Sequence, residues 1–141
     1  MELTNPNNLD VDVSGWFLQG GISHTLKPGT VIPANGSLYL APNAIAFRQR
    51  AISPTGGQQR FVQGNYTGHL SNFGETITLS DTNAELVDTL TYTGTPSDNQ
   101  LNLVISEIMY QPITPDAEYL ELTNISDTLT LDLTNLTFTG G

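Results

Sequence analysis

"ELTNPNNLDVDVSGWFLQGG" occupies Glu2–Gly21 and "ELTNISDTLTLDLTNLTFTGG" occupies Glu121–Gly141. The two stretches read as versions of one another. Glu2-Leu3-Thr4-Asn5 corresponds to Glu121-Leu122-Thr123-Asn124. After one additional residue in the second stretch, Val11-Asp12-Val13 corresponds to Leu131-Asp132-Leu133, and Ser14-Gly15-Trp16 to Thr134-Asn135-Leu136. Gly20-Gly21 answers to Gly140-Gly141. The offset is 119 to 120 positions, the size of an ordinary domain, and it marks a repeating unit of that length. Residues 1–100 are therefore expected to form one unit without its opening strand or strands. Residues 101–141 are expected to be the opening strands of a second unit, with the boundary inside "GTPSDNQ" before Leu101.

Within each stretch the pattern is that of strands. Val11 and Val13 alternate with Asp10 and Asp12, which places the two aspartates on one solvent face. Gly15 then interrupts, and Trp16 and Leu18 resume the apolar series on a new phase, as a bulge or tight bend requires. Turn dipeptides follow at Pro28-Gly29 and Asn35-Gly36, around Val31, Ile32, Leu38 and Leu40. "ETITLSD" (Glu75–Asp81) and "ELVDTLTYTG" (Glu85–Gly94) flank Asp81-Thr82-Asn83 and read as a hairpin. "LNLVISEIMY" and "EYLELTN" are two more strands, separated by the proline-broken "QPITPD". At most one short helix is expected, near residues 43–51, with Asn43 as N-cap and Ile45, Ala46 and Phe47 as its apolar contacts. Many short strands with Gly, Pro and Asn turns predict an all-β antiparallel sandwich or barrel.

Composition narrows the chemistry. The chain has no cysteine, which excludes disulfides, thiolate metal sites and cysteine catalysis. Only 13% of residues are charged, and Thr, Asn and Ser supply the polar surface instead. Fourteen acidic residues against four basic ones give a net charge of -10, which disfavours binding to nucleic acid or anionic membranes. No apolar run is long enough to span a bilayer.

"VISEIMYQP", "DAEYLELTNISD" and "LDLTNLTFTGG" resemble the opening of the lamin tail domain, an immunoglobulin-like module. "LDVDVSGWFLQGG" and "TLKPGTVIPANGSLYLAPNAIAFRQR" resemble its middle, and Gly68–Glu75 with "ITLSDTNAELVDTLTY" resemble its end. Leu136 and Asn135 depart from the pattern, standing where a tryptophan and a glycine would be. The resemblance implies an immunoglobulin-like antiparallel β-sandwich without catalytic residues. Its bacterial versions occur in large secreted or surface proteins. The expectation is therefore a non-catalytic structural, adhesion or interaction module of an extracellular or cell-envelope protein. The alternative is a carbohydrate- or calcium-dependent binding module beside a catalytic domain.

The residues offer few sharp sites. His24 and His69 stand outside any catalytic motif and read as ordinary structural or surface side chains. Asp81, Asn83, Asp116 and Glu118 are oxygen donors of the kind Ca²⁺ takes, in a spacing that matches no known calcium loop. Asp81-Thr82-Asn83 is more simply a turn. Tyr66, among glycines, is the aromatic expected to stand exposed, and Arg48, Arg50 and Arg60 form the one basic spot. Tyr39, Tyr92, Tyr110, Tyr119 and Trp16 fall in strand patterns and are expected to fill core. The partners expected are neighbouring repeats, another protein or a second copy. "LNLVISEIMY" suits the strand missing from the first unit, within the chain or by exchange between two chains as a swapped or edge-paired homodimer.

Overall fold

The computed structural model describes residues 1–139; the Gly140-Gly141 half of the repeat correspondence lies outside them. The chain is mostly β, with 36% of residues in strands. It divides into two units, Met1–Gly94 and Thr95–Gly141. In the first, the strands are β1 (Glu2–Thr4), β2 (Val11–Asp12), β3 (Phe17–Gln19), β4 (Ile22–Thr25), β5 (Val31–Ile32) and β6 (Ser37–Leu40). Helix α1 (Ala44–Arg48) follows, then β7 (Val62–Gln63), β8 (Thr67–Gly68), β9 (Gly74–Ser80) and β10 (Leu86–Thr93). The second unit holds α2 (Asp98–Asn102), β11 (Leu103–Met109) and β12 (Tyr119–Asn124).

Two sheets face each other across an aliphatic layer in the first unit. One has the order β10-β9-β3-β4-β8, the other β1-β6-β7, and β2 pairs with β5 beside them. Leu18, Ile22 and Ile77 come from the larger sheet, and Leu38 and Leu40 from the smaller. They are joined by Val13, Leu26 and Ile32. All are buried, and Leu38 is completely so. Gly15 sets the phase change expected between Val13 and Leu18. Its φ of +74° is a left-handed value that a side chain disfavours, and its N–H donates to Leu26 O at 3.0 Å.

β6 is buried on both faces. Leu38 and Leu40 point into the aliphatic layer. Tyr39, between them, points the other way into a second cluster with Ala41 and Phe47, onto which Val62 packs. That cluster exists because the chain leaves β6 and crosses over through α1 before returning as β7. The crossover makes β6 and β7 parallel, with Tyr39 opposite Val62 and Leu40 opposite Gln63. An all-antiparallel sandwich does not include such a pair, and a parallel pair needs a connection of this length. Gln63 is buried and satisfied at both ends of its amide: Nε2 donates to Thr30 Oγ1 and Oε1 accepts from Lys27 N at 3.2 Å.

Asn5 is the other buried amide. Its Nδ2 donates to the carbonyls of Leu9 (2.8 Å), Ile32 (3.0 Å) and Pro33 (3.1 Å), and its Oδ1 accepts from Asn7 N (3.0 Å). The end of β1 is thus tied to its own loop and to β5. In the second unit Asn124 makes the local half of this pattern, donating to Leu129 O and accepting from Ser126 N. The likeness continues along the chain. Asp12 Oδ1 accepts from Ser14 N and Asp132 Oδ1 from Thr134 N. Trp16 N donates to Val13 O, and Leu136 N to Leu133 O. Asn135, standing for Gly15, also takes a positive φ, of 65°.

The β9–β10 hairpin and the β11–β12 pair form where the alternation places them. Helix α1 starts at its expected cap, with Asn43 Oδ1 accepting from Ala46 N at 3.0 Å, but of its apolar residues only Phe47 is buried. A second short helix, α2, exceeds the single one expected. Its signal is a reciprocal capping box between Ser97 and Gln100, inside a stretch that composition marks as linker.

Replacing Leu38 by Ala is expected to lower unfolding free energy by about 3 kcal/mol, whereas Leu90→Ala, at a position 65% exposed, costs less than about 1 kcal/mol. Asn5→Ala, which strips donors from three carbonyls, is expected to cost about 2–3 kcal/mol. Urea unfolding reads each as a shift in midpoint at constant slope.

Candidate functional site

The second cluster of β6 opens to solvent as a cleft of about 340 Å³, a size within the range of small-ligand sites. Tyr39, Phe47, Arg50, Pro54 and Tyr66 line it, together with the Met1–Glu2 end of β1. The Asn43 cap fixes where α1 begins, and so aims Phe47 down at Tyr39. Their ring centroids lie 5.5 Å apart, tilted by 33°. Arg50 lies over the Phe47 ring at 5.8 Å and Arg60 over the Tyr39 ring at 5.5 Å. Each such cation–π contact contributes about 0.5–1 kcal/mol at an exposed site.

The three arginines are brought to one side of the first unit, and their hydrogen-bond partners are neutral. Arg48 Nη1 donates to Arg60 O (3.5 Å) and Arg50 Nη2 to Ser53 O (3.2 Å). Arg60 Nη2 donates to Gln58 Oε1 (2.8 Å) and its Nη1 lies 3.5 Å from the Tyr39 hydroxyl. Arg60 Nε is buried and has no hydrogen-bond partner among the described residues. Arg50 and Tyr66 line the cleft together, while Arg48 and Arg60 stand beside it. Tyr66 is half-buried and packs against the aliphatic layer, so it is less exposed than its glycine neighbours suggest. Tyr39 and Phe47, read from sequence as strand core and helix contact, are the aromatic floor that the sequence did not mark as a site. The Glu2 carboxyl sits below its usual pKa because the Ser37 and Tyr39 hydroxyls hydrogen-bond its charged form.

The oxygen donors considered for calcium have other duties or lie exposed in a loop. Asp81 Oδ1 accepts from Asn83 N (2.8 Å) and Glu85 N (2.9 Å), closing the β9–β10 turn in which Ala84 takes a φ of 64°. Asn83 Nδ2 reaches Asp81 Oδ2 at 3.5 Å. Asp116 and Glu118 belong to the second unit, exposed in the loop between β11 and β12. Among the described residues no group of three or more His, Asp or Glu side chains is placed to hold a metal ion. His24 lies in β4 opposite Leu18, with Nε2 buried and unpartnered among the described residues, and His69 N donates to Gly21 O.

A second polar cluster escaped the sequence. Glu75 and Tyr92 face each other across β9 and β10. Glu75 Oε1 accepts from Ser71 N (2.9 Å), and the Tyr92 hydroxyl lies 2.9 Å from both Glu75 Oε1 and Ser71 O. The Ser71 N–H holds the Glu75 carboxyl below the usual carboxylate range. Burial and the facing carboxylate raise the Tyr92 hydroxyl above the usual phenol value. The arrangement fastens the 71–74 loop to the hairpin.

The family model of the Lamin Tail Domain matches residues 1–94, the whole of the first unit. No curated protein matches the chain.

Acid should loosen the first unit. Glu2, Asp12 and Glu75 all have folded pKa values below their ordinary ones, so each stabilises the fold above its unfolded pKa. That contribution is lost as pH falls through the lower, folded value. The melting temperature is expected to hold from neutral pH to about 5 and to decline below about 4.5. Glu75→Gln should flatten part of that decline in thermal melts followed by circular dichroism.

Proposed function

The chain belongs to the lamin tail domain family, and from that premise we propose that it is a structural, adhesion or interaction module of a larger extracellular or cell-envelope protein. The family is non-catalytic. One observation carries the reading: four carboxylates of the first unit are engaged in holding loops. Asp10 accepts from Ala34 N, Asp12 from Ser14 N, Asp81 from Asn83 and Glu85 N, and Glu75 from Ser71 N. A carboxylate that accepts backbone N–H bonds is oriented toward the main chain and away from acid–base work, and in Asp12 and Glu75 these bonds also favour the charged form. The role is then mechanical, that of a stiff sandwich spacing whatever lies on either side. Residues 101–141 are read as the opening of a second such unit. The shared hydrogen bonds of Asn5 and Asn124, and of Asp12 and Asp132, support this.

The aromatic cleft favours a second reading. The half-buried Tyr66 offers a stacking face and Arg50, held over the Phe47 ring, a fixed cation, the equipment for a sugar ring or an acidic saccharide. In that case the module binds a glycan for a catalytic neighbour.

The two readings separate by experiment. For a spacer, single-molecule pulling gives one cooperative event for the first unit. The contour gain is roughly 30 nm, from 94 residues at about 3.6 Å each less the folded span. Chelation with EDTA leaves the melting temperature unchanged, and a glycan array stays blank. Array binding that Tyr66→Ala and Arg50→Ala each weaken by about tenfold or more establishes the second reading. A melting temperature that falls on chelation shows a calcium dependence that the spacer reading excludes.

A further inference from the structure

Among the described residues β1 uses one of its two edges. Asn5 N donates to Gly36 O, and Leu40 N to Met1 O, so odd-numbered residues of β1 face β6. The N–H and C=O groups of Glu2 and Thr4 therefore point to the opposite edge. Beside that edge runs an apolar groove in two parts, of about 380 Å³ and 70 Å³, walled by Leu3 on one sheet and by Leu79, Val87 and Leu90 on the other. Leu90 pairs with Ile77, and directly opposite residues share a face. Ile77 is 6% exposed and Leu90 is 65% exposed. A core-facing leucine this bare means that the smaller sheet stops one strand short of covering β10.

The second unit holds the template for the absent strand. β12 carries the Glu-Leu-Thr-Asn of β1, and its partner is β11, with Val104 opposite Thr123, Ile105 opposite Leu122 and Ile108 opposite Leu120. The edge that β12 offers β11 is the edge that β1 leaves open, since Ile125 N donates to Asn102 O and the alternation then assigns Thr123 and Glu121 to β11. Carried over to β1, the register places Val104 opposite Thr4 and Ile105 opposite Leu3. Ile105 and Ile108, which are 58% and 61% exposed, then lie on the Leu3 face, over Leu90.

We propose that the open edge of β1 receives strand β11 of a second copy of this chain, by exchange with β12 in an antiparallel register that sets Val104 against Thr4. The exchange replaces one Glu-Leu-Thr-Asn ladder by another, so hydrogen bonding is nearly conserved. The loss is the bond that Ile125 N makes, because Pro6 stands at the equivalent position and has no N–H. The gain is the covering of Leu90, Ile105 and Ile108. Reciprocal exchange closes the pair as a two-fold dimer and leaves no open edge of β1 for further growth.

The chain has no native cysteine, which makes the register directly readable. Thr4→Cys and Val104→Cys chains are refolded together and oxidised. Residues opposite one another in a ladder lie within disulfide reach. A cross-linked dimer is expected from the mixture and from neither variant alone, and Thr4→Cys mixed with Ser106→Cys should give none. Sedimentation between about 1 µM and 1 mM should show the unmodified chain passing from 15.2 kDa to twice that mass. Thr4→Pro removes an outward N–H and spares the backbone bonds to β6, losing only the exposed hydroxyl contact of Thr4 with Ser37. It should weaken dimerisation by about 100-fold or more while the melting temperature at low concentration stays within a few degrees. A chain that remains monomeric throughout overturns the proposal. So does a Thr4→Cys/Val104→Cys double variant that cross-links only within itself, which would place β11 on its own β1.

Discussion

The amide of Asn5 holds the end of the first strand in place. A buried primary amide has two donors and an acceptor to satisfy, and here three carbonyls and one N–H surround it. Two of those carbonyls, from Ile32 and Pro33, belong to β5 and its following turn, twenty-seven and twenty-eight residues away. A strand of three residues has little ladder of its own. Fixed at its end, it delivers Leu3 to the aliphatic layer and leaves Glu2 and Thr4 facing outward. Aspartate would repel the carbonyls and leucine would leave them unpaired, so few other side chains serve here.

Much of the fold was legible because the period-two pattern is strong wherever one face is wet. The hairpin of β9 and β10 follows from Ile77 and Leu79 alternating with threonine, and from the Asp81-Thr82-Asn83 turn between the strands. Gly15 announced its change of phase. β6 was harder to read. "SLYL" shows no polar alternation because both of its faces are covered, and a pattern cannot say by what. The parallel pairing with β7 was hidden for the same reason, since it depends on where the crossover through residues 41–61 returns. The second helix was written in Ser97 and Gln100, a local signal masked by the expectation of a linker.

The candidate site was half legible. Clustered arginines are visible in sequence, and the structure sets Arg50 and Arg60 over aromatic rings. Tyr39 and Phe47 were invisible as a site because strand and helix positions look like core, and they are core on their inner sides. The Glu75–Tyr92 contact joins residues seventeen apart. It becomes readable only once the hairpin register is fixed, which the Asp81-Thr82-Asn83 turn does not fix by itself.

The double burial of β6 has one further result. Shifting a strand by a single residue turns every side chain to the opposite face. In β6 such a slip would drive the Tyr39 ring into the leucine layer and push Leu38 and Leu40 up among the arginines. Strands with one wet face pay for misregistration on one side only, whereas β6 is penalised on both. Its register, and with it that of β1 and β7 beside it, is held from both faces at once.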